Sequence, residues 1–385
     1  MFRVEQYNSI FSIYIYILFL LPIIILALFG KKSKLLNTVI SIILILFLFG
    51  SLSLQMWEFV AFFVVELLLV YFFFLFRKRC SSELVYYIIF ALSVAPLAVI
   101  KYYGRTSYAS YIGFTGASYI SFKIWEILFE IHDGKIEKLN FLNVIGFLTF
   151  APTFSSGPID RYPSFISEME KKTDRAEYVS GYLIPGIKKI ILGMFYKFSI
   201  AFLINTYVMS RYETLSVKGA IAYMYAYTLY LFFDFAGYSL MAVGTGCLMG
   251  VKVMDNFNKP FLSRNLKEFW ERWHISLSTW FGDFVYSRFV LNNVRNGLFK
   301  EPRKAARWAS LFTMLVMGFW HGLYWHYILY GLYHGVLLVL TDIWIKSKTF
   351  RKVKKLKCYN LVSRIICFHI IAFGMLIFSG FLIAV

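Results

Sequence analysis

Long runs without a charged residue dominate the chain and alternate with short polar segments. About 20 apolar residues in a helix span the hydrocarbon core of a bilayer, which is roughly 30 Å thick. Four uncharged runs reach that length: 10–29, 35–57, 139–159 and 365–385. Two more contain one charge each, Lys197 in 190–210 and Asp234 in 219–251. The pattern predicts membrane-spanning helices, and hydropathy along the whole chain indicates about ten or eleven crossings.

A further uncharged run, 308–341, is too long for one crossing. Its 34 residues would form a helix of about 51 Å at 1.5 Å per residue. Trp320, His321 and Gly322 lie near its middle, and glycine allows the backbone to leave the helical conformation. We therefore predict that this helix breaks at 320–322.

The segment 252–307 has a different pattern. It contains eleven Lys or Arg and five Asp or Glu, mixed with Trp and Phe, and no ordinary spanning run. Such a segment is expected to lie in the membrane interface, or to dip into the membrane where protein covers it. No hydrophilic stretch is long enough for a separate soluble domain. The sequence therefore predicts one membrane domain with three parts: 1–251, 252–307 and 308–385.

Composition and charge support this class and indicate an orientation. The chain is 59% hydrophobic, whereas soluble domains are about half apolar, so we predict an all-α polytopic membrane protein. The net charge is +19, and its basic clusters at 31–34, 77–79 and 346–357 are placed in the cytoplasm by the positive-inside rule. The N-terminus is then predicted outside. Nucleic-acid binding is excluded, because no basic groove module remains once the spans are removed.

Two histidines are candidates for chemistry. His321 lies between Trp320 and Gly322, and a neutral imidazole in apolar surroundings is available as a base. His274 follows Arg272 and Trp273, a setting that suits a polar substrate, although an interfacial helix anchored by Trp and Arg explains the same residues. Ionisable groups within a membrane are functional candidates by default.

The remaining histidines are predicted to pack at helix interfaces: His132, His326, His334 and His369. The spacings in 321–334 do not place three rings on one helix face, and the four cysteines form no CxxC pair. No metal site is therefore predicted.

Four motifs together resemble the membrane-bound O-acyltransferase family, and specifically its branch that transfers D-alanyl groups to teichoic acid. They are KEFWERWHISLSTWF at 267–281, GFWHGLYWHYILYGLYHG at 318–335, FAPTFSSGPIDRY at 150–162 and FFDFAGYS at 232–239. The resemblance covers nearly the whole chain, up to FSGF at 378–381. It implies a ring of helices around a thin central region, with a funnel open to the outside and a narrow passage to the cytoplasm.

The resemblance also implies an activity and its site. His321 matches the signature catalytic histidine of the family and His274 its second active-site position. The donor would be D-alanine held as a thioester on the phosphopantetheine of a cytosolic carrier protein, so that the chain itself binds no cofactor. Implied partners are this acidic carrier, a membrane-anchored extracellular protein of the same operon, a small single-span peptide and lipoteichoic acid. The chain itself is expected in the bacterial plasma membrane.

Within that activity, a thioester already has a good leaving group, so the chemistry requires an activated hydroxyl. We expect His321 to act as general base and His274 to orient the acceptor or stabilise the oxyanion, without an acyl-enzyme. Residues predicted to line the passage are Arg272, Trp273, Trp320, Ser156, Asp160 and Arg161. For the SSGPIDR motif at 155–161, a turn with a local ion pair is the simpler interpretation. Asp234 is predicted to be structural, and therefore hydrogen-bonded, paired or protonated.

The segment 285–300 is predicted to dock the carrier. Arg288 and Arg295 would steer an acidic partner, while Val290 and Leu291 would hold it. An interfacial helix that rests on anionic lipid explains the same amphipathic pattern.

Two other functions remain open from the residues alone. A secondary transporter or flippase for a polar lipid-linked precursor would show unusual elements in both halves of the chain, whereas here they concentrate at 255–335. A scaffold for a cell-wall complex would give His321 no role.

Overall fold

The computed structural model describes residues 6–50, 53–80, 82–104, 106, 112–212 and 216–382. Regular structure in these ranges is helical, apart from an isolated antiparallel bridge between Phe257 and Trp273. Six of the described helices are long and apolar enough to cross a membrane. The prediction of an all-α polytopic membrane protein is therefore confirmed.

The chain forms two compact units. The first runs up to Phe195 and includes Gly237–Met254, whereas the second comprises Tyr196–Ala236 and the chain from Asp255 onward. Helices of the first unit are α1 Ile10–Leu28, α2 Lys34–Phe49, α3 Leu54–Arg77, α4 Glu83–Tyr103, α5 Ala117–His132, α6 Phe141–Leu148, α7 Tyr162–Glu170, α8 Arg175–Tyr178 and α9 Ile184–Met194. The long helix α10, Val217–Leu248, begins in the second unit and ends in the first.

The second unit contains the remaining helices. They are α11 Leu266–Trp270, α12 Ile275–Phe281, α13 Ser287–Arg295, α14 Pro302–His321, α15 Trp325–Ile345, α16 Lys348–Val353 and α17 Tyr359–Phe378. Four segments are π-helical: Val179–Leu183, Phe195–Ala201, Ile204–Val208 and Gly282–Tyr286. Such widened turns often occur at functional sites.

Capping residues set the boundaries of the first helices. The Ser9 side chain accepts from the backbone N–H of Ser12 in a capping box. The side chains of Ser33 and Ser53 each accept one backbone N–H at the starts of α2 and α3. Gly50 ends α2 at φ +78°, a left-handed conformation that favours glycine. The run 35–57 is consequently not one span, although its residues 51 and 52 lie outside the described ranges.

The run 139–159 was predicted as a span and is not one. Helix α6 ends at Leu148, and a 3₁₀ turn at Ala151–Thr153 follows. The buried Lys123 Nζ donates to the Phe147 carbonyl oxygen at 3.0 Å and to Thr153 Oγ1 at 2.9 Å. A lysine from α5 thus takes a carbonyl that a longer helix would bond internally, and hydropathy gives no sign of this.

Other predicted spans correspond to observed helices. The runs 10–29, 219–251 and 365–385 become α1, α10 and α17, with residues 383–385 outside the described ranges. The run 190–210 is an interrupted helix, in which α9 gives way to π-helical turns. The sequence estimate of ten or eleven crossings counts such short or interrupted segments, whereas six described helices meet the length and composition of a span.

The predicted break in 308–341 is confirmed. Helix α14 ends at His321 and α15 begins at Trp325, and the two form the most extensive helix pair of the described chain. Glycine makes this closeness possible, since a Cβ at Gly318 would lie 2.5 Å from the Tyr327 carbonyl oxygen, and one at Gly331 would lie 2.5 Å from that of Met314. The tight pairing fixes His321 against the first turns of α15.

Candidate active site

His321 is the last residue of α14 and is surrounded by aromatic rings. The centroid of its imidazole lies 4.6 Å from Trp320, 4.9 Å from Phe378, 5.8 Å from Tyr327 and 6.3 Å from Tyr330. These rings come from α14, α15 and α17. The wall is apolar with two phenol hydroxyls, which suits a base that must remain neutral and meet a hydroxyl-bearing acceptor.

The backbone of His274 has an unusual conformation that neighbouring strand-like residues hold in place. Its φ is +45°, rare for a residue other than glycine. The Asn256 carbonyl oxygen accepts from Ile275 N–H at 3.0 Å, and Asn256 Oδ1 accepts from Ser276 N–H at 3.2 Å and Ser276 Oγ at 2.6 Å. Asn256 thus fixes the two residues that follow the left-handed position, and such strain concentrates at functional positions.

The imidazole of His274 is buried and makes few polar contacts. Its residue exposure is 5%, and Nε2 has no hydrogen-bond partner in the described protein. The ring meets Phe235 edge to face at 4.7 Å. Burial, and secondly the nearby His321 ring, lower the pKa of His274 to about 3. At neutral pH the ring is therefore uncharged, with one nitrogen able to donate and one to accept.

The structure thus brings the two predicted catalytic histidines into one unit and within electrostatic range of each other. They come from separate elements, the turn before α12 and the end of α14. Among the described residues, no group of three or more His, Cys, Asp or Glu side chains is arranged to hold a metal ion. The pair is suited to proton transfer and hydrogen bonding at a single reacting group.

Three other predicted site residues lie in the same unit, with different environments. Trp320 packs directly on His321. Trp273 is buried and stacks on Phe269 at 5.5 Å. Arg272 is held at the surface of α11 by an ion pair with Glu268 at 2.8 Å. Trp320 is therefore beside His321, whereas Trp273 and Arg272 directly precede His274 in the chain.

Ser156, Asp160 and Arg161 belong to the first unit. Asp160 is buried and its Oδ1 accepts the backbone N–H of Arg161 at 2.9 Å. The Arg161 guanidinium reaches Glu126 Oε2 at 3.4 Å, and Glu126 also accepts from Tyr162 N–H. The SSGPIDR loop is thus fastened to α5 as well as folded on itself, which the sequence interpretation of a purely local ion pair missed. Ser156 bonds with Tyr238.

The predicted docking segment forms α13 and has no buried residue. Leu291 is 67% exposed, Arg295 is exposed, and Val290 is partly covered. Arg288 lies over the Phe284 ring at 6.0 Å. The helix therefore presents apolar and basic side chains together, as a docking surface or an interfacial anchor would.

Sequence reasoning missed Asn256 and Phe235 at this site. Asn256 fixes the turn that carries His274, and the Phe235 ring packs edge to face against the His274 imidazole. Both residues lie on elements other than the one that carries His274. Their distance along the chain therefore matches no helical or strand spacing from which a contact could be predicted. The FFDFAGYS motif, which contains Phe235, was the available signal.

Comparison with known proteins gives a consistent result. The model of the MBOAT family, membrane-bound O-acyltransferase, matches residues 43–383. A teichoic acid D-alanyltransferase from Bacillus subtilis is 36% identical over 386 residues, covering 97% of this chain and 98% of that protein. Proteins of the same name from Streptococcus thermophilus, 36% identical over 99% of this chain and 96% of that protein, and from Lacticaseibacillus rhamnosus, 35% identical over 99% and 98%, are also similar.

Proposed function

The chain belongs to the membrane-bound O-acyltransferase family, and on that premise we propose that it transfers D-alanyl groups from a carrier-protein thioester towards teichoic acid. It is a membrane-bound enzyme that transfers acyl groups to oxygen. The observation that carries the finer proposal is that His274 and His321 lie in one unit, within electrostatic range of each other and packed against aromatic rings. The D-alanyl group and teichoic acid enter the proposal from the names of the similar proteins.

His321 is the general base of the proposed reaction. The acceptor hydroxyl oxygen attacks the thioester carbonyl carbon while its proton passes to the His321 imidazole. The new C–O bond forms, the C–S bond breaks, and the proton is returned to the departing thiolate. No residue of the chain becomes acylated, because the thioester is already activated and the acceptor attacks it directly.

His274 stabilises the charge that develops in this step. Its uncharged ring can offer one N–H to the carbonyl oxygen as that oxygen becomes negative, and the rigid turn at φ +45° keeps the donor in place beforehand. A donor that needs no reorganisation contributes more in a water-poor site than it would in bulk water. His321 and His274 thus act on opposite ends of the same transition state.

The donor arrives on its carrier at α13, in this proposal. The basic and apolar side chains of α13, with the basic start of α14, form a surface that suits an acidic helix beside a phosphopantetheine arm. The positive-inside rule places this surface in the cytoplasm and the N-terminus outside. The phosphopantetheine belongs to the carrier and supplies the thioester, while the chain provides the surface and the two histidines.

Transfer of radiolabel tests the function directly. Membranes containing the chain are incubated with the carrier loaded with radiolabelled D-alanine, and label in the lipid-linked polymer is measured before and after mild hydroxylamine, which cleaves esters. We expect ester-linked label that depends on the chain. Label that forms equally in membranes without the chain, or label that hydroxylamine does not release, would contradict the proposal.

A further inference from the structure

An ion pair lies inside the membrane-spanning part of the second unit. Lys197 Nζ, from the π-helical turn Phe195–Ala201, bonds Asp234 Oδ1 on α10 at 2.5 Å. The lysine side chain is 13% exposed, but that of the aspartate is 32% exposed. A helix of 32 residues that qualifies as a span therefore carries a carboxylate that remains accessible.

The same face of α10 carries three tyrosines. Tyr223, Tyr227 and Tyr230 precede Asp234 at intervals of four, three and four residues, so all four side chains lie in one row. The neighbouring helical segment places Asn205 and Met209 eight and twelve residues after Lys197. A cavity of about 460 Å³ opens at the far end of this row, and its walls are Asn205, Thr206, Met209, Ser210, Tyr223 and Phe381. We call the row and its cavity the tyrosine groove.

Neighbours of the tyrosine groove contact the two histidines. Phe235, the residue after Asp234, packs on the His274 ring at 4.7 Å. Tyr227 is within electrostatic range of Tyr327 and Tyr330, both of which lie beside His321. Tyr223, at one end of the row, thus lines the cavity, and Asp234, at the other end, directly precedes the residue that packs on His274.

A purely structural ion pair would be buried from solvent, whereas an ion pair that faced lipid would have a large desolvation cost. Charged groups in spans face a protein interior or an aqueous cavity, and they mark substrate pathways. Lys197 occupies Oδ1 of Asp234, and the second carboxylate oxygen can accept a hydrogen bond from a ligand. The ligand that fits is a cation small enough for a groove of hydroxyls and aromatic rings.

We propose that Asp234 determines acyl-group specificity by binding the α-ammonium of an aminoacyl group in the tyrosine groove. The inference rests on the proposed function, since a D-alanyl group carries this ammonium and a simple acyl group does not. An ammonium moved into a water-poor site is costly unless a carboxylate compensates it. Lys197 orients that carboxylate and offsets part of its charge, so that the aminoacyl group is bound loosely enough to leave.

The test compares two donors that differ only by the amine. Transfer is measured from D-alanyl-carrier and from propionyl-carrier, for the wild type and for Asp234→Asn. We expect the wild type to prefer D-alanyl, and the variant to lose at least roughly tenfold of that preference, the size of a lost specific polar contact. The propionyl rate should remain within about twofold, because the histidines are unchanged. Equal loss with both donors would overturn the inference.

A charge swap separates recognition from stability. Lys197→Asp combined with Asp234→Lys keeps an ion pair between the same two positions but places an ammonium where the carboxylate was. We expect normal thermal stability and propionyl transfer, with D-alanyl preference still lost; restored preference would show that only the pair matters. Glu66→Gln is the matched control, because Glu66 is a buried carboxylate of α3 bonded to Ser93 in the other unit.

The two levels of the proposal fail differently in these assays. If the wild type shows no transfer from D-alanyl-carrier, the proposed function itself is wrong. If it transfers both groups equally well, the function stands and the inference about Asp234 is wrong. If the wild type prefers D-alanyl and Asp234→Asn retains that preference, the function stands and Asp234 is structural.

Discussion

The ring of His274 lies within electrostatic range of the ring of His321, although 47 residues separate them in the chain. One sits on a left-handed turn that Asn256 stabilises, and the other ends a helix where Gly322 adopts an extended conformation. Each ring is positioned by a backbone interruption within apolar surroundings. This relationship carries the proposed chemistry, and the following predictions address its parts.

Removing His321 should remove the general base. We expect His321→Ala to lower D-alanyl transfer by at least roughly 10²-fold, the low end for a lost general base, with protein levels and melting temperature preserved. His369→Ala is the matched control, since His369 is exposed on α17 and its Nδ1 bonds the carbonyl oxygen of Ile365 in the same helix. Near-normal transfer by His321→Ala would refute the assigned role.

His274 is expected to stabilise charge rather than to move a proton. His274→Ala should leave measurable residual transfer, and His274→Asn should retain more, because an amide still donates a hydrogen bond. Initial rates at saturating carrier measure both. If the two variants were equally inactive while His321→Ala remained active, the roles of the two histidines would be reversed.

The lowered pKa of His274 also predicts acid sensitivity. Its folded pKa of about 3 lies below the unfolded value of 6.5, so the unfolded chain binds the extra proton first. The stability linked to this ring is therefore complete above about pH 6.5 and declines as pH falls towards 3. We expect the melting temperature in detergent to drop less between pH 7.5 and pH 5 for His274→Asn than for the wild type. Equal drops would contradict the assignment.

Asn256 is a positioning residue for His274. Asn256→Ala removes the side-chain acceptor of Ser276 N–H and Oγ, so we expect kcat to fall towards that of His274→Ala, with KM for the carrier unchanged. Asn258→Ala serves as control, because Asn258 is exposed and engages the turn through its backbone, which donates to Arg272. A loss confined to protein stability, with normal kcat, would show that Asn256 does not act through His274.

The α13 surface should bind the carrier. Val290→Asp is expected to weaken carrier affinity without releasing the protein from the membrane, since it places a charge within the apolar contact. Arg288→Glu with Arg295→Glu should slow association with the carrier most at low salt, because the electrostatic attraction between the two proteins is then screened least. Lys352→Glu with Lys354→Glu, in the basic segment around α16, gives the matched charge change. Unaltered carrier affinity in every variant would leave α13 as a lipid anchor.

Hydropathy along the chain determined the fold class and one internal helix end. The apolar runs correspond to α1, α10 and α17, and the excessive length of 308–341 correctly required a break at the residues where α14 ends. The run 139–159 was misread, because the buried amine of Lys123 takes the carbonyl oxygen of Phe147. When a side chain on one helix bonds a backbone carbonyl at the end of another, the sequence of the second helix does not show that contact.

By itself, the sequence determined that apolar runs long enough for a bilayer must be helical, since only a helix satisfies its own backbone in lipid. Its motifs also identified His274 and His321 as the candidates. Only the tertiary structure decided that the two rings lie within electrostatic range, that Asn256 holds the residues after His274, and that Asp234 remains accessible beside Lys197. Those contacts join residues far apart in the chain, and their distances depend on how the helices pack rather than on the spacing of residues within any one helix.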